Sequence, residues 1–212
     1  MIRLLLVDDH PVVRAGYQRL LEQGGDMQVV AQAGGVDDAH ALFVQHDPDL
    51  TITDLAMPGS GGLELLRRLR ERNAEARVLV FSMHDSEMLV RRAFELGARG
   101  FVTKCCAPEH LIDAVHRVVD GQRYLSPDLP ARLLDGGAPR SGLETLTARE
   151  FEVFRLLARG DSPADCARSL HLSPKTVANH QSAIRDKLGV GTAAALVHLA
   201  IQHGVIPARG QG

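Results

Sequence analysis

The sequence predicts an α/β protein in two parts: a doubly wound parallel sheet of five βα units, (βα)5, followed by a small all-α domain of four helices. Three observations predict it. Short apolar runs alternate with helical patterns over about 120 residues, as a parallel sheet covered on both faces requires. A Pro- and Gly-rich stretch then breaks the pattern, from Ser126-Pro127-Asp128-Leu129-Pro130 through Asp135-Gly136-Gly137-Ala138-Pro139-Arg140-Ser141-Gly142, and this is linker composition. Beyond it lie four short helical patterns with explicit caps. The expected division is residues 1–122, a linker over 123–143, and residues 144–212.

Composition narrows the class. Of 212 residues, 45% are hydrophobic and 24% charged, which is ordinary globular usage and excludes wholesale disorder. No apolar run is long enough to span a bilayer. The N-terminus turns acidic at Asp8, too soon for a signal-peptide core. Cys105, Cys106 and Cys166 form no CxxC pair and no disulfide framework. A cytoplasmic protein without membrane contact is expected. The formal net charge of −2 conceals an asymmetry: residues 1–124 carry 14 basic against 18 acidic side chains, and residues 141–212 carry 8 against 6, with four histidines besides.

The strands of the first part are Leu4-Leu5-Leu6-Val7, the weaker Met27-Gln28-Val29-Val30-Ala31, Thr51-Ile52-Thr53, Val78-Leu79-Val80-Phe81 and Gly100-Phe101-Val102-Thr103. The helices between them follow stripes such as Leu111, Ile112, Val115, Val118 and Val119. The residues that end these strands carry the functional argument. Asp8 and Asp9 end the first, Asp54 the third, Ser82 the fourth and Lys104 the fifth. In an open α/β sheet the carboxyl ends of the strands share one edge, where ligands bind. One strand-end Asp is commonly a turn residue. Three carboxylates, a hydroxyl and an ammonium converging on one edge form a site.

Crowded carboxylates repel unless a cation sits among them. An oxygen-only set suits Mg²⁺, and an Asp carboxylate can serve as a nucleophile for a phosphoryl group. Mg²⁺ and Lys104 would neutralise the transferring oxygens while Ser82 donates a hydrogen bond. No G-x-x-x-x-G-K-[ST] loop is present to bind ATP, so the group must come from a donor protein or a small acyl phosphate.

Asp8-Asp9-His10-Pro11, Asp54-Leu55-Ala56-Met57-Pro58-Gly59, Ser82 and Lys104 resemble the receiver domain of bacterial two-component response regulators, over residues 1 to 122. The resemblance implies that Asp54 is the phosphoacceptor and that Asp8, Asp9, Asp54 and the backbone carbonyl of Ala56 hold Mg²⁺. It also implies a sensor histidine kinase as partner, and Ser82 and Phe101 as the switch pair that reports phosphorylation. Two positions depart from the pattern. Cys105 stands where many receivers have Pro, and the residue two past the acceptor is the small, apolar Ala56.

In the second part, Thr147-Ala148-Arg149-Glu150 reads as a capping box with Leu146 and Phe151 as its hydrophobic staple. Ser162-Pro163 and Ser173-Pro174 each place an N-cap before a proline at the first helical position. Gly160 ends the first helix, Gly189 or Gly191 the third, and the last helix spans about Thr192 to His203. His171-Leu172 is the tight connection of a helix-turn-helix. On the third helix Val177, Ile184 and Leu188 should face inward, with Gln181 close by. Lys175, Asn179, Ser182 and Asp186 lie opposite, with Ala178 and Arg185 on the margin. That polar face suits either the major groove or plain solvent.

Leu146-Thr147-x-Arg149-Glu150, Ala158-Arg159-Gly160, Leu172-Ser173-Pro174-Lys175-Thr176-Val177 with His180, and Lys187-Leu188-Gly189 resemble the LuxR-type helix-turn-helix domain. Joined to a receiver, the arrangement is that of the NarL/FixJ response regulators. The resemblance implies binding of two-fold double-stranded DNA sites by a homodimer formed on phosphorylation. Ala178, Asn179 and Ser182 would read bases, with Lys175, Thr176 and Lys187 near phosphates; RNA polymerase is a further candidate partner. Ala178 and Ser182 stand where lysines are frequent, and Ala164 and Asp165 where many members have Lys and Glu. Fewer cations predict a shallow salt dependence.

The other candidates are weaker. Cys105-Cys106 beside Lys104 reads as a redox input or as two small loop side chains. The ten histidines have no metal spacing, and His10 and His84 read as neighbours of the crevice. The D-x-D start of Asp-nucleophile phosphatases is absent. The expectation is therefore a phosphorylation-switched transcriptional regulator rather than an enzyme acting on other molecules. The rival is a phospho-switched protein whose tail binds a protein or RNA partner.

Overall fold

A computed structural model describes residues 1–57, 61–133 and 142–206. The chain divides into two compact units, Met1–Gly136 and Gly137–Gly212. Pro58, Gly59 and the linker stretch from Asp135 to Ser141 lie outside the described residues.

The first unit is the expected alternation: β1 (Ile2–Val7), α1 (Pro11–Glu22), β2 (Met27–Ala33), α2 (Val36–His46), β3 (Leu50–Thr53), α3 (Gly61–Arg72), β4 (Val78–Ser82), α4 (Glu87–Glu95), β5 (Gly100–Thr103) and α5 (Pro108–Val119). With a sixth strand, β6 (Tyr124–Leu125), the strands form one parallel sheet in the order β2-β1-β3-β4-β5-β6. All of β3, β4 and β5 is buried, which explains why apolar and β-branched residues fill both faces of them: helices cover both sides. Leu4, Leu6, Ile52, Leu79, Phe81 and Val102 meet Leu111, Val115 and Val118 of α5 and Leu21 of α1 in one core layer. The alternate side chains Leu5, Val7, Val80 and Phe101 are equally buried and point to the other face.

The sixth strand, β6 (Tyr124–Leu125), is an addition to the five expected. It pairs in parallel with β5, Tyr124 opposite Gly100 and Leu125 opposite Phe101, in residues whose composition reads as the start of a linker. Two residues cannot display a period, so no alternation announces such a strand. A 3-10 turn over Ala131–Leu133 follows, and Leu129 and Leu133 are buried.

The second unit contains a 3-10 turn (Gly142–Thr145) and four helices: α6 (Ala148–Arg159), α7 (Pro163–Ser169), α8 (Pro174–Leu188) and α9 (Ala193–Gln202). The caps are those the sequence predicts. Thr147 and Glu150 close a capping box, Ser162 and Ser173 accept from the backbone N–H groups of Asp165 and Thr176, and Gly160 is left-handed at the end of α6. Leu146 and Phe151, the two halves of the staple, are both buried. Gly189, not Gly191, ends α8, since its φ of 65° is the left-handed value a helix terminator needs. Asp165 adds a second capping box to α7. His171 takes φ 52° at the corner before α8, a conformation usually left to glycine. Among the described residues no helix is long and apolar enough to cross a membrane.

Candidate functional site

The strand ends converge as the topology requires. Asp8 follows β1, Asp54 follows β3, Ser82 closes β4 and Lys104 follows β5. Lys104 Nζ donates to Asp8 Oδ2 at 2.5 Å and to Asp54 Oδ2 at 2.6 Å. All three side chains are nearly removed from solvent. Asp54 Oδ1 accepts from the backbone N–H of Ala56 at 3.1 Å, and Asp8 Oδ1 from that of His10 at 2.8 Å.

Burial alone would push the Asp54 carboxyl up, because desolvation penalises its charged form. The hydrogen bond and charge of Lys104 outweigh it, helped by the Ala56 N–H and the Ser82 hydroxyl, and hold Asp54 below the ordinary 3.8. Burial likewise works against the Lys104 charge, but Asp54 and Asp8 win and raise it above 10.5. Asp54 is thus ionised at neutral pH, as a nucleophile must be. The ammonium also stands 5.7 Å from the centre of the Phe81 ring, which Tyr17 meets edge-on at 4.6 Å.

The donor set fits a hard cation. Asp8, Asp9 and His10 are the described groups whose ligand atoms lie within 4.8 Å of one another. Asp9 Oδ1 is buried and accepts no well-aligned hydrogen bond, although His10 Nδ1 is 2.8 Å away. A buried carboxylate oxygen with capacity to spare, beside a second carboxylate, is what Mg²⁺ takes. Asp54 joins this pair through Lys104, which bonds both Asp8 and Asp54. His10 is mostly exposed and rests on the two carboxylates, the neighbour the sequence suggests.

Backbone fit fixes the loop that carries Asp54. A Cβ at Gly62 would lie 2.0 Å from the carbonyl oxygen of Asp54, so only glycine lets α3 start against that loop. Ser82 is fully buried and its Oγ accepts from the His84 N–H at 3.2 Å. Phe101 is fully buried in β5. The Lys104–Cys105 peptide is trans; Cys105 is exposed, and Cys106 packs against the core.

One arrangement at this edge escapes sequence reasoning. Thr103, next to Lys104, donates to Asp128 Oδ2 at 2.7 Å, and its hydroxyl lies 3.3 Å from that of Ser126. The Ser126 N–H donates to the Phe101 carbonyl at 2.9 Å. Burial raises the Asp128 carboxyl, but the Ser126 and Thr103 hydroxyls hold it below 3.8. The chain leaving the sheet is therefore clamped to the strand that carries Phe101 and Lys104. Ser-Pro-Asp is ordinary turn composition, so only the pairing of β6 reveals the clamp.

In the second unit, Val177 and Ile184 are buried and turn α8 inward, while Leu188 and Gln181 are half-buried. Lys175, Ala178, Asn179 and Ser182 are exposed together, and Thr176 is half-buried with its hydroxyl 2.8 Å from that of Ser173. Lys187 differs from this group. Its ammonium donates to both oxygens of Glu150, at 2.9 and 2.6 Å. The separation of 37 positions hides that pair from any local pattern.

Comparison with known proteins agrees with both units. Residues 4–116 match the family described as "Response regulator receiver domain", and residues 144–200 match "Bacterial regulatory proteins, luxR family". The "Transcriptional activator protein ExaE" of Pseudomonas putida is 41% identical over 96% of this chain and 97% of its own. The "Transcriptional regulatory protein UhpA" of Escherichia coli (strain K12) is 42% identical over 90% of this chain and 93% of its own. Among solved structures, RcsB from Salmonella enterica serovar Typhimurium, bound to promoter rprA in the presence of phosphomimetic BeF3-, superposes with a TM-score of 0.70. It is 27% identical and is matched over 93% of this chain and 98% of its own.

Proposed function

The chain belongs to the bacterial response regulators that join a receiver domain to a LuxR-family DNA-binding domain, and on that premise we propose the residues by which it regulates transcription. Asp54 accepts a phosphoryl group from the phosphohistidine of a sensor kinase. A carboxylate oxygen attacks phosphorus, the P–N bond breaks, and the imidazole departs with the bonding electrons. Asp8, Asp9, Asp54 and the Ala56 carbonyl would hold Mg²⁺, which supplies positive charge to the transferring oxygens. Lys104 exchanges its bond to Asp54 for an oxygen of the arriving group. Ser82 donates to another, and the fully buried Phe101 follows the rearrangement within β5. The pairing of Lys104 with Asp54 and Asp8 carries this reading.

Exposed Lys175, Ala178, Asn179 and Ser182 of α8, with Thr176, form the face offered to the major groove. A homodimer would place two such helices on a two-fold site and recruit RNA polymerase from there. Contact with chromosomal DNA makes the cytoplasm its workplace.

Two measurements test the reading. Acetyl phosphate with Mg²⁺ should add one phosphoryl mass to the wild type and none to Asp54→Ala; labelling that persists in the variant overturns the assignment. Sequencing the genomic fragments retained by the protein should show two-fold sites strengthened by Mg²⁺ with beryllium fluoride. Equal enrichment without the mimic would remove phosphorylation as the switch.

A further inference from the structure

We propose that Lys187 is a positioning residue for DNA recognition: its ammonium, seated on the Glu150 carboxylate, anchors the C-terminal end of α8 to the first turn of α6. The inference rests on α8 being the DNA-reading helix and assigns Lys187 a role other than phosphate contact.

Helix geometry separates Lys187 from the reading face. At about 100° per residue, Lys187 lies about 60° from the buried Ile184, whereas Asn179 and Ser182 lie about 140° and 160° away. It therefore flanks the packed side of the helix. Its partner is a buried cap residue with no other freedom: Glu150 Oε2 also accepts the Thr147 N–H at 2.6 Å, and the Thr147 hydroxyl accepts the Glu150 N–H in return. An exposed pair of flexible side chains contributes little, but this carboxylate is fixed by its capping box before Lys187 arrives.

The neighbouring residue braces the segment that leads into α8. Arg149 Nη2 donates to the carbonyl of Leu170, at the corner where α7 gives way to α8. Two consecutive residues of the first turn of α6 thus hold the end of α7, which leads into α8, and the last turn of α8 itself. A base-reading helix must keep its rotation and depth while its few side chains reach the groove. Fixing its last turn and the corner that leads into it supplies that before DNA arrives. Two of the three Lys187 donors are taken by Glu150, and the ion pair already neutralises its charge, so counterion release on binding should owe little to it.

The test uses the full chain with Mg²⁺ and beryllium fluoride, and a duplex enriched by the wild type from a random-sequence pool. Affinity is read across a series of salt concentrations for Lys187→Met, Lys187→Arg, Glu150→Gln and the double variant Lys187→Met/Glu150→Gln. Gln at the third position of a capping box still accepts the cap N–H, so the α6 cap survives; Lys187 is exposed enough to be replaced without unfolding. Lys187→Met and Glu150→Gln should each weaken binding about tenfold with the wild-type salt slope, and the double variant should be no worse than either. Lys187→Arg should restore most of the affinity. If Lys187→Met flattens the slope by about 0.9 while Glu150→Gln binds like wild type, Lys187 is a phosphate contact and the proposal fails. Unchanged binding in both single variants also overturns it. If the wild type enriches no duplex, it is the DNA-reading role of α8 that falls, and the anchor with it.

Discussion

The ammonium of Lys104 stands 2.6 Å from the carboxylate of Asp54 across 50 positions of chain. The contact joins the end of the central β3 to the end of β5, two strands that do not touch each other in the sheet. It neutralises a carboxylate that the fold has buried, and it holds a cation beside the proposed phosphoacceptor.

Replacing Lys104 by Met should therefore cost stability as well as reactivity. Two buried carboxylates would lose their shared counter-charge, at a cost on the order of 3 kcal/mol. Urea unfolding in the presence of chelator should show the loss, and added Mg²⁺ should recover part of it. An unchanged midpoint would mean that the pair contributes nothing to the fold. Phosphorylation by acetyl phosphate should become undetectable in the same variant.

Gly62→Ala tests how tightly the acceptor loop is built. The added methyl meets backbone, the Asp54 carbonyl oxygen at 2.0 Å, so α3 must shift. We expect a loss of about 2–3 kcal/mol together with slower labelling of Asp54. Gly100→Ala is the control within the same sheet: its Cβ would meet side chains rather than backbone, the end of Leu79 at 2.6 Å, Val118 at 3.1 Å and Tyr124 at 3.3 Å, all away from the Asp54 loop, and labelling should survive.

Thr103→Val should free the chain after β6. It removes the donor to Asp128 while keeping the shape of the side chain, and it should cost about 1–2 kcal/mol. Hydrogen exchange at the amides of Ser126 and Leu129, which donate to Phe101 and Ser126, should accelerate before the rest of the sheet does. Protection equal to wild type would show that strand pairing alone holds the segment.

Acid should loosen the second unit through Glu150. Burial raises this carboxyl, but Lys187 and Thr147 outweigh it and hold it below 4.5. A depressed folded value means that the stabilisation is fully present above 4.5 and is lost as pH falls through the folded value. Melting followed by helical circular dichroism should decline in that window in the wild type. Glu150→Gln should flatten this part of the profile, and an identical decline would assign it to other carboxylates.

The crevice was legible in the sequence because topology does the assembling. Parallel crossovers bring every strand's carboxyl end to one edge, so Asp8, Asp54, Ser82 and Lys104 could be placed together from their positions alone. The helix ends were legible because caps are local: Thr147 reaches only as far as Glu150. What stayed hidden depends on side chains that meet across distance. Asp128 finds Thr103 only after β6 has formed, and Lys187 finds Glu150 only after α8 has packed on α6. Between Gly189 and Gly191 the sequence offers two terminators, and only the left-handed turn at Gly189 decides.

The sixth strand changes where this molecule can be cut. A fragment ending at residue 122, where composition invites the scissors, would strip β5 of its outer neighbour and leave the carbonyls of Arg99 and Phe101 without the N–H groups of Tyr124 and Ser126. A bare strand edge recruits whatever extended chain it meets, a second fragment first of all. Self-association of such a piece would be an artefact of dissection, and a fragment carried through Leu133 keeps its own border.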